Sequence, residues 1–148
     1  GRGDMKIYLG TDHAGFELKE KIKIFLLEKG HEVKDFGAFS FDANDDYPDF
    51  IRPVAEVVAQ DLESRGIILG GSGQGEAMVA NRVSGIRATV YYGGNQDIIK
   101  LSREHNDANI LSLGARFLDD QEAFKAIELW LSLPFSGEKR HERRILKF

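Results

Sequence analysis

"IILGGSGQGE", from Ile67 to Glu76, joins a short apolar run to a glycine-rich turn and ends on a carboxylate. A buried apolar run that stops at glycines and passes into helix-forming residues is the strand–turn–helix joint of an α/β fold. Such a turn commonly holds a phosphate on its backbone N–H groups. Glu76 would repel one.

The same alternation continues in both directions. Lys6–Gly10 is expected as a first strand, followed by a helix over 15–29 with Leu18, Ile22, Phe25 and Leu26 on one face and Gly30 as its stop. Val33–Phe36 is expected as a second strand. Residues 49–62 follow as a helix presenting Ile51, Val54, Val58 and Leu62. Beyond the glycine turn, a helix starts near Gly75, a strand covers Ala88–Tyr91, a helix 95–105 and a fifth strand Asn109–Leu113. Phe124, Ile127 and Leu131 mark a last helix before Pro134. Strands alternating with helices predict a doubly wound α/β fold, with a five-stranded parallel sheet covered on both faces. No linker or repeat interrupts it, so 5–148 is expected to be one domain. Ligands of such folds collect beyond the carboxyl ends of the strands. Thr11-Asp12-His13, the glycine turn and Gly114-Ala115-Arg116 all fall there.

Of 148 residues, 42% are hydrophobic and 30% charged, the balance of a globular chain rather than a disordered one. A net charge of -4 argues against a general nucleic-acid binder. No apolar run approaches the roughly 20 residues that span a bilayer, so no membrane partner is expected. The absence of cysteine excludes disulfides, thiolate metal sites and a catalytic thiol, and suits a reducing, cytoplasmic compartment. Gly1-Arg2-Gly3-Asp4 precedes Met5; it spells an adhesion tripeptide but is read as an expression remnant.

Gly71, Gly73 and Glu76 occupy the fixed positions of the dinucleotide pattern G-x-G-x-x-G, with glutamate in place of the last glycine. A P-loop would need Lys followed by Ser or Thr. Both nucleotide readings fail on residue identity. Two unit charges 4 Å apart interact by about 4 kcal/mol at an effective dielectric of 20, and a dianionic phosphate beside Glu76 would suffer more. The turn suits an oxygen that is neutral at rest and becomes negative during reaction. The N–H groups around Gly71, Ser72, Gly73, Gln74 and Gly75 can form that oxyanion hole. Glu76 can then take a proton from a neighbouring carbon. A plainer reading leaves Glu76 as an acid favoured at a helix N-terminus.

Phosphate-binding cations lie elsewhere. Arg140 and Arg144 are four residues apart, on one face if that tail is helical, and Arg116 ends the fifth strand. Guanidinium forks match phosphate oxygens; a solvated basic terminus is the alternative. His13, His105 and His141 fall in or near these segments, and with Asp12 they can shuttle protons to sugar oxygens. No H-x-x-H spacing occurs, and Asp12-His13 is a weak metal pair, so neither a metal nor another cofactor is expected.

With these residues assembled, the chain resembles the type B ribose-5-phosphate isomerases, a family that includes galactose-6-phosphate isomerase subunits. The landmarks are "GTDHAGFELK", "DYPDF", "GGSGQGE", "ANRVSGIRA", "SREHNDANIL", "LGAR" and "RHERR", in order between Met5 and Ile145. The resemblance implies a flavodoxin-like fold. It also implies metal-free aldose–ketose interconversion through an enediolate, and a homodimer or dimer of dimers with sites across the subunit interface. It makes Asp12 and His105 candidates for sugar-ring opening, Tyr47 and Asn106 sugar contacts, and Ser72 part of the anion-stabilising turn. Arg116, Arg140 and Arg144 become phosphate ligands, with His13 and His141 as further contributors. Many members carry a cysteine base where this chain has Gly70; a second branch carries glutamate at the end of the turn, as Glu76 is here. Without cysteine, only the glutamate branch is consistent. Ribose 5-phosphate is the expected substrate. The alternatives are a six-carbon aldose 6-phosphate, with the 38–47 loop and its Phe39 and Phe41 setting the length, or a sugar-phosphate-binding module without turnover.

Overall fold

The computed structural model describes residues 5–148; the Gly1–Asp4 segment lies outside the described residues. Five parallel strands, β1 (Lys6–Thr11), β2 (Glu32–Asp35), β3 (Arg65–Gly70), β4 (Ala88–Tyr91) and β5 (Ile110–Gly114), form one sheet. Six helices cover it: α1 (Phe16–Glu28), α2 (Pro48–Gln60), α3 (Gln74–Ala80), α4 (Asp97–Glu104), α5 (Asp120–Ser132) and α6 (Lys139–Ile145). The basic tail is therefore helical, as its spacing allowed.

The central strands are apolar throughout because both faces are covered. Alternation then assigns each residue to a layer. Ile7, Leu9, Ile67, Leu69, Leu111 and Leu113 pack with Ile22 and Leu26 of α1, Ile99 of α4, and Ile127 and Trp130 of α5. Ile68 and Ile110 point the other way, to Ile51, Val54 and Val58 of α2 and Ala80 of α3. Leu62 departs from expectation. α2 ends at Gln60, so Leu62 falls in the following turn and is 92% exposed.

The strand order is β2-β1-β3-β5-β4. The chain reverses direction across the sheet between β1 and β3, which opens the usual ligand crevice at their carboxyl ends. Flavodoxin itself runs 2-1-3-4-5; here the last two strands are exchanged within the same doubly wound class. The exchange matters for the site. It sets β5 directly beside β3, with Gly70 opposite Gly114, and the Arg116 N–H donates to the Gly71 carbonyl at 3.1 Å. Hydrophobic periodicity carries no information about which parallel strands pair.

One buried ion pair closes the β1–β2 side. Lys19 on α1 has no solvent exposure. Its Nζ donates to both Asp35 carboxylate oxygens at 2.7 and 2.8 Å and to the Ala38 carbonyl at 2.7 Å. Removing one partner of a buried pair strands the other charge. Lys19→Met should therefore lower the unfolding free energy by about 3 kcal/mol, the lower end of the usual range, because the Gly37 N–H still donates to Asp35. Urea denaturation measures it, and a loss below about 1 kcal/mol would show that Asp35 is otherwise compensated.

Candidate active site

The three carboxyl-end segments converge. A cavity of about 470 Å³, within the usual range for small-ligand sites, is lined by Tyr47, Gly71, Ser72, Gly75, Glu76, Arg116 and Phe117. Backbone geometry shapes its floor. Gly73 has a left-handed φ of 78° as it enters α3, a region that disfavours a side chain. Its carbonyl accepts from Ser112 Oγ at 2.7 Å, which pins the turn to β5. Ser72 Oγ accepts from the Gln74 N–H at 3.3 Å, while the Gln74 residue itself is exposed.

Glu76 is only 4% exposed. Its carboxyl folds back over Gly70, where an added Cβ would overlap it. Tyr47 reaches in from the start of α2, and a Cβ on Gly75 would come within 2.5 Å of its hydroxyl. Burial raises the pKa of Glu76 above the ordinary carboxyl value, and the nearby charge of Asp12 adds to the rise; the N–H groups of Glu76 and Gly73 oppose it. A base tuned upward in this way moves toward neutral pH, where proton abstraction is efficient. Asp12 is 6% exposed and accepts from the Ala14 N–H at 3.0 Å, which caps the short 3-10 turn His13–Gly15.

His13 belongs to this group, with Arg116 near enough to oppose its protonation. Its partner is one that the residue pattern did not single out. Asp45 Oδ1 lies 2.6 Å from His13 Nδ1. Asp12, His13 and Asp45 also place potential metal-ligand atoms within 4.8 Å of one another, although Asp12-His13 alone gave only a weak metal signal. Asp45 sits in the acid-rich run "DANDD", where composition cannot say which carboxylate turns inward. Phe117 was missed as well; its position next to Arg116 was the available signal.

His105, Asn106, Arg140, His141 and Arg144 are elsewhere. His105 caps the carboxyl end of α4, which in a parallel fold lies at the amino edge of the sheet. The His141 ring stacks on it with centroids 4.2 Å apart and is 5% exposed. Its Nε2 is buried without a hydrogen-bond partner among the described residues, and desolvation lowers its pKa, with His105 and Arg140 adding to the fall. Arg140 and Arg144 are exposed on α6; Arg140 Nε donates to Glu138 at 3.2 Å. Asn106 lines a second cavity of about 400 Å³ with Arg87 and Phe148, among others, and no Asp or Glu among the described residues lines it. The two groups are separated by the length of β3, six residues or roughly 20 Å at the usual rise. A five-carbon chain, with C–C bonds of roughly 1.5 Å, cannot bridge them within one chain.

A doubly wound α/β protein with a buried carboxyl on the glycine turn beyond its third strand, and without a nucleotide fingerprint, is the class that fold and site define. The sequence profile of the Ribose/Galactose Isomerase family matches residues 7–148, and the chain belongs to that family. It is 44% identical over 141 residues to the ribose-5-phosphate isomerase B of Mycolicibacterium paratuberculosis, covering 95% of this chain and 87% of that one. To its Escherichia coli K12 counterpart it is 39% identical over 140 residues, covering 95% and 91%. Among solved structures, ribose-5-phosphate isomerase B of Mycoplasma genitalium with bound ribulose-5-phosphate superposes with a TM-score of 0.91 at 40% identity, over 97% of this chain and 93% of that one. The Clostridium thermocellum protein superposes with a TM-score of 0.90 at 45% identity, over 97% and 94%.

The upward shift of Glu76 has a consequence for stability. A carboxyl whose folded-state pKa is raised contributes fully below its unfolded value of about 4.3, and that contribution is lost as pH rises through the higher folded value. The Glu76→Gln variant has no such loss. Its Tm relative to the native protein should climb as pH rises from about 4 to about 8, measured by thermal melts. A pH-independent difference would show that Glu76 is not shifted.

Proposed function

We propose that the protein is an aldose–ketose isomerase that interconverts ribose 5-phosphate and ribulose 5-phosphate through an enediolate, with Glu76 as the base. The observation that carries the reading is the buried Glu76 carboxyl on a turn of backbone donors, in a chain 40% identical to a protein with ribulose-5-phosphate bound. No helix among the described residues is long and apolar enough to cross a membrane, in keeping with a small, charged substrate taken from water.

Guanidinium groups hold the phosphate, so the sugar's other end meets the turn in a repeatable pose. Asp12, with His105, opens the ring to the aldehyde. Glu76 takes the C2 proton; the C–H electron pair becomes the C1=C2 bond and negative charge passes to O1. There the turn's N–H groups and the Ser72 hydroxyl stabilise it. The hydroxyl proton on O2 transfers to O1, and Glu76 returns its proton to C1, leaving the ketose. Tyr47 borders the same cavity as a sugar contact.

The complete site is taken to form between two copies of the chain. Arg116 stands with Glu76, whereas Arg140, Arg144, His105 and Asn106 stand at the opposite sheet edge and reach Glu76 only from a second subunit. Met78 on α3 and Ile98 and Leu101 on α4 are exposed apolar side chains beside the four-residue edge strand β4. They offer such a contact surface to bury.

Glu76→Gln keeps the shape and removes the base. It should cut conversion of ribose 5-phosphate, and exchange of its C2 hydrogen with deuterated solvent, by about 10²-fold or more. Near-normal turnover would reject Glu76 as base. Binding by the native protein without exchange would leave a non-catalytic module, and faster conversion of a six-carbon aldose 6-phosphate would move the substrate to the longer sugar.

Subunit mixing tests the shared site. Glu76→Gln and Arg144→Ala proteins, each impaired alone, should regain about a quarter of native activity when mixed and allowed to exchange. Half the dimers are then mixed, and each of those holds one intact site of two. No gain on mixing would place both residues in one subunit's site.

A further inference from the structure

The segment between β2 and α2 sends one carboxylate back across 32 residues to the start of the α1 side of the crevice. Both hydrogen bonds to the Asp45 side chain come from His13: ring Nδ1 at 2.6 Å and the backbone N–H at 3.2 Å, each on Oδ1. The Asp45 side chain is 9% exposed and that of His13 22%. Asp45 Oδ2 is buried with no hydrogen-bond partner among the described residues. A buried carboxylate with an unpaired oxygen is costly unless its remaining contact is strong, and here that contact is the imidazole. A carboxylate only accepts, so Nδ1 carries the proton. Nε2 has no hydrogen-bond partner among the described residues.

We propose that Asp45 is a positioning residue: its carboxylate fixes the orientation and the Nδ1 proton of His13. The ring is thereby held as a second cation, alongside Arg116, for the anionic end of the substrate. The inference rests on the sugar-phosphate reading of the site. The groups facing the ring come from every neighbouring segment. Asp45 and Asp12 favour its protonation and Arg116 opposes it. Phe41 packs edge-on at 5.7 Å and adds no charge. The Asp45 hydrogen bond is the largest influence, and the net direction is upward from the ordinary imidazole value. A lone His13 would lose its charge near neutral pH; paired with Asp45, it holds that charge to higher pH.

Asp45→Asn retains an acceptor of the same shape and removes the charge. In the free protein, NMR titration of the His13 ring should show its pKa above the ordinary imidazole value in the native chain and clearly lower in the variant. Asp45→Glu should restore part of the shift. The variant's KM for ribose 5-phosphate, and its Ki for inorganic phosphate, should be about tenfold higher near pH 7.5 and converge on the native values near pH 5.5, where the ring is protonated without help. kcat should stay within about twofold, because Asp45 touches no reacting atom.

A purely structural tether would change KM equally at every pH, and that result would overturn the proposal. A native His13 that titrates at or below the ordinary value would also overturn it, even if Asp45→Asn failed to fold. The ring titration and its response to inorganic phosphate need no turnover. Failure of the isomerase reading therefore leaves this test intact, and failure of this inference leaves Glu76 untouched.

Discussion

The close approach of the Glu76 carboxyl to the Cα of Gly70 is the constraint around which the site is arranged. A side chain at position 70 would overlap the carboxyl, so a glutamate side chain delivered from α3 in this pose and a residue larger than glycine at the end of β3 exclude each other. Everything next to that contact is correspondingly spare. Gly71 passes under the Arg116 guanidinium, with room for a Cβ only at 2.9 Å from its Nη1. Gly73 takes a left-handed turn and hands its carbonyl to Ser112. The glycines of "GGSGQGE" make space for two side chains, a carboxyl and a guanidinium, as much as they make a turn.

This accounts for the carboxylate in a motif that looks built for phosphate. Phosphate-binding turns bring N–H groups to a permanent anion. Here those groups would meet negative charge only as the C2 proton leaves, when O1 becomes an oxyanion. Desolvation and the charge of Asp12 push the pKa of the buried Glu76 carboxyl upward, which weakens its preference for the charged form beside those N–H groups. Arg116 borders the turn itself at Gly71, and in the proposed assembly the other guanidinium groups come from the partner's α6. On the proposed mechanism, one small cavity would perform proton transfer at the turn and grip a dianion with its guanidinium groups.

The far wall of the cavity depends on a different interaction. The Lys19–Asp35 pair, with Lys19 also held by the Ala38 carbonyl, secures the end of β2 where the 38–47 segment begins. That segment then delivers Asp45 to His13 and Tyr47 to Gly75. An ion pair with no direct part in the chemistry thus orders a loop that touches the site twice. His141, expected as a substrate contact, is buried with its ring stacked on that of His105.

Period-2 and period-3.6 hydrophobic patterns were enough to place five strands and their helices, because burial against a two-sided sheet writes itself into local sequence. Placing Asp12, the glycine turn and Arg116 at one edge followed from parallel topology alone. Leu62 escaped the pattern because an apolar residue two positions beyond a helix end is indistinguishable, by spacing, from the helix's own face. Three features belonged to the tertiary structure: β5 lying between β3 and β4, the choice of Asp45 among the acids of "DANDD", and the separation of the α6 arginines from Glu76 by the full height of the sheet. Each depends on which distant segments pair, and periodicity records how a residue sits against its own layer, not which strand or loop lies beside it.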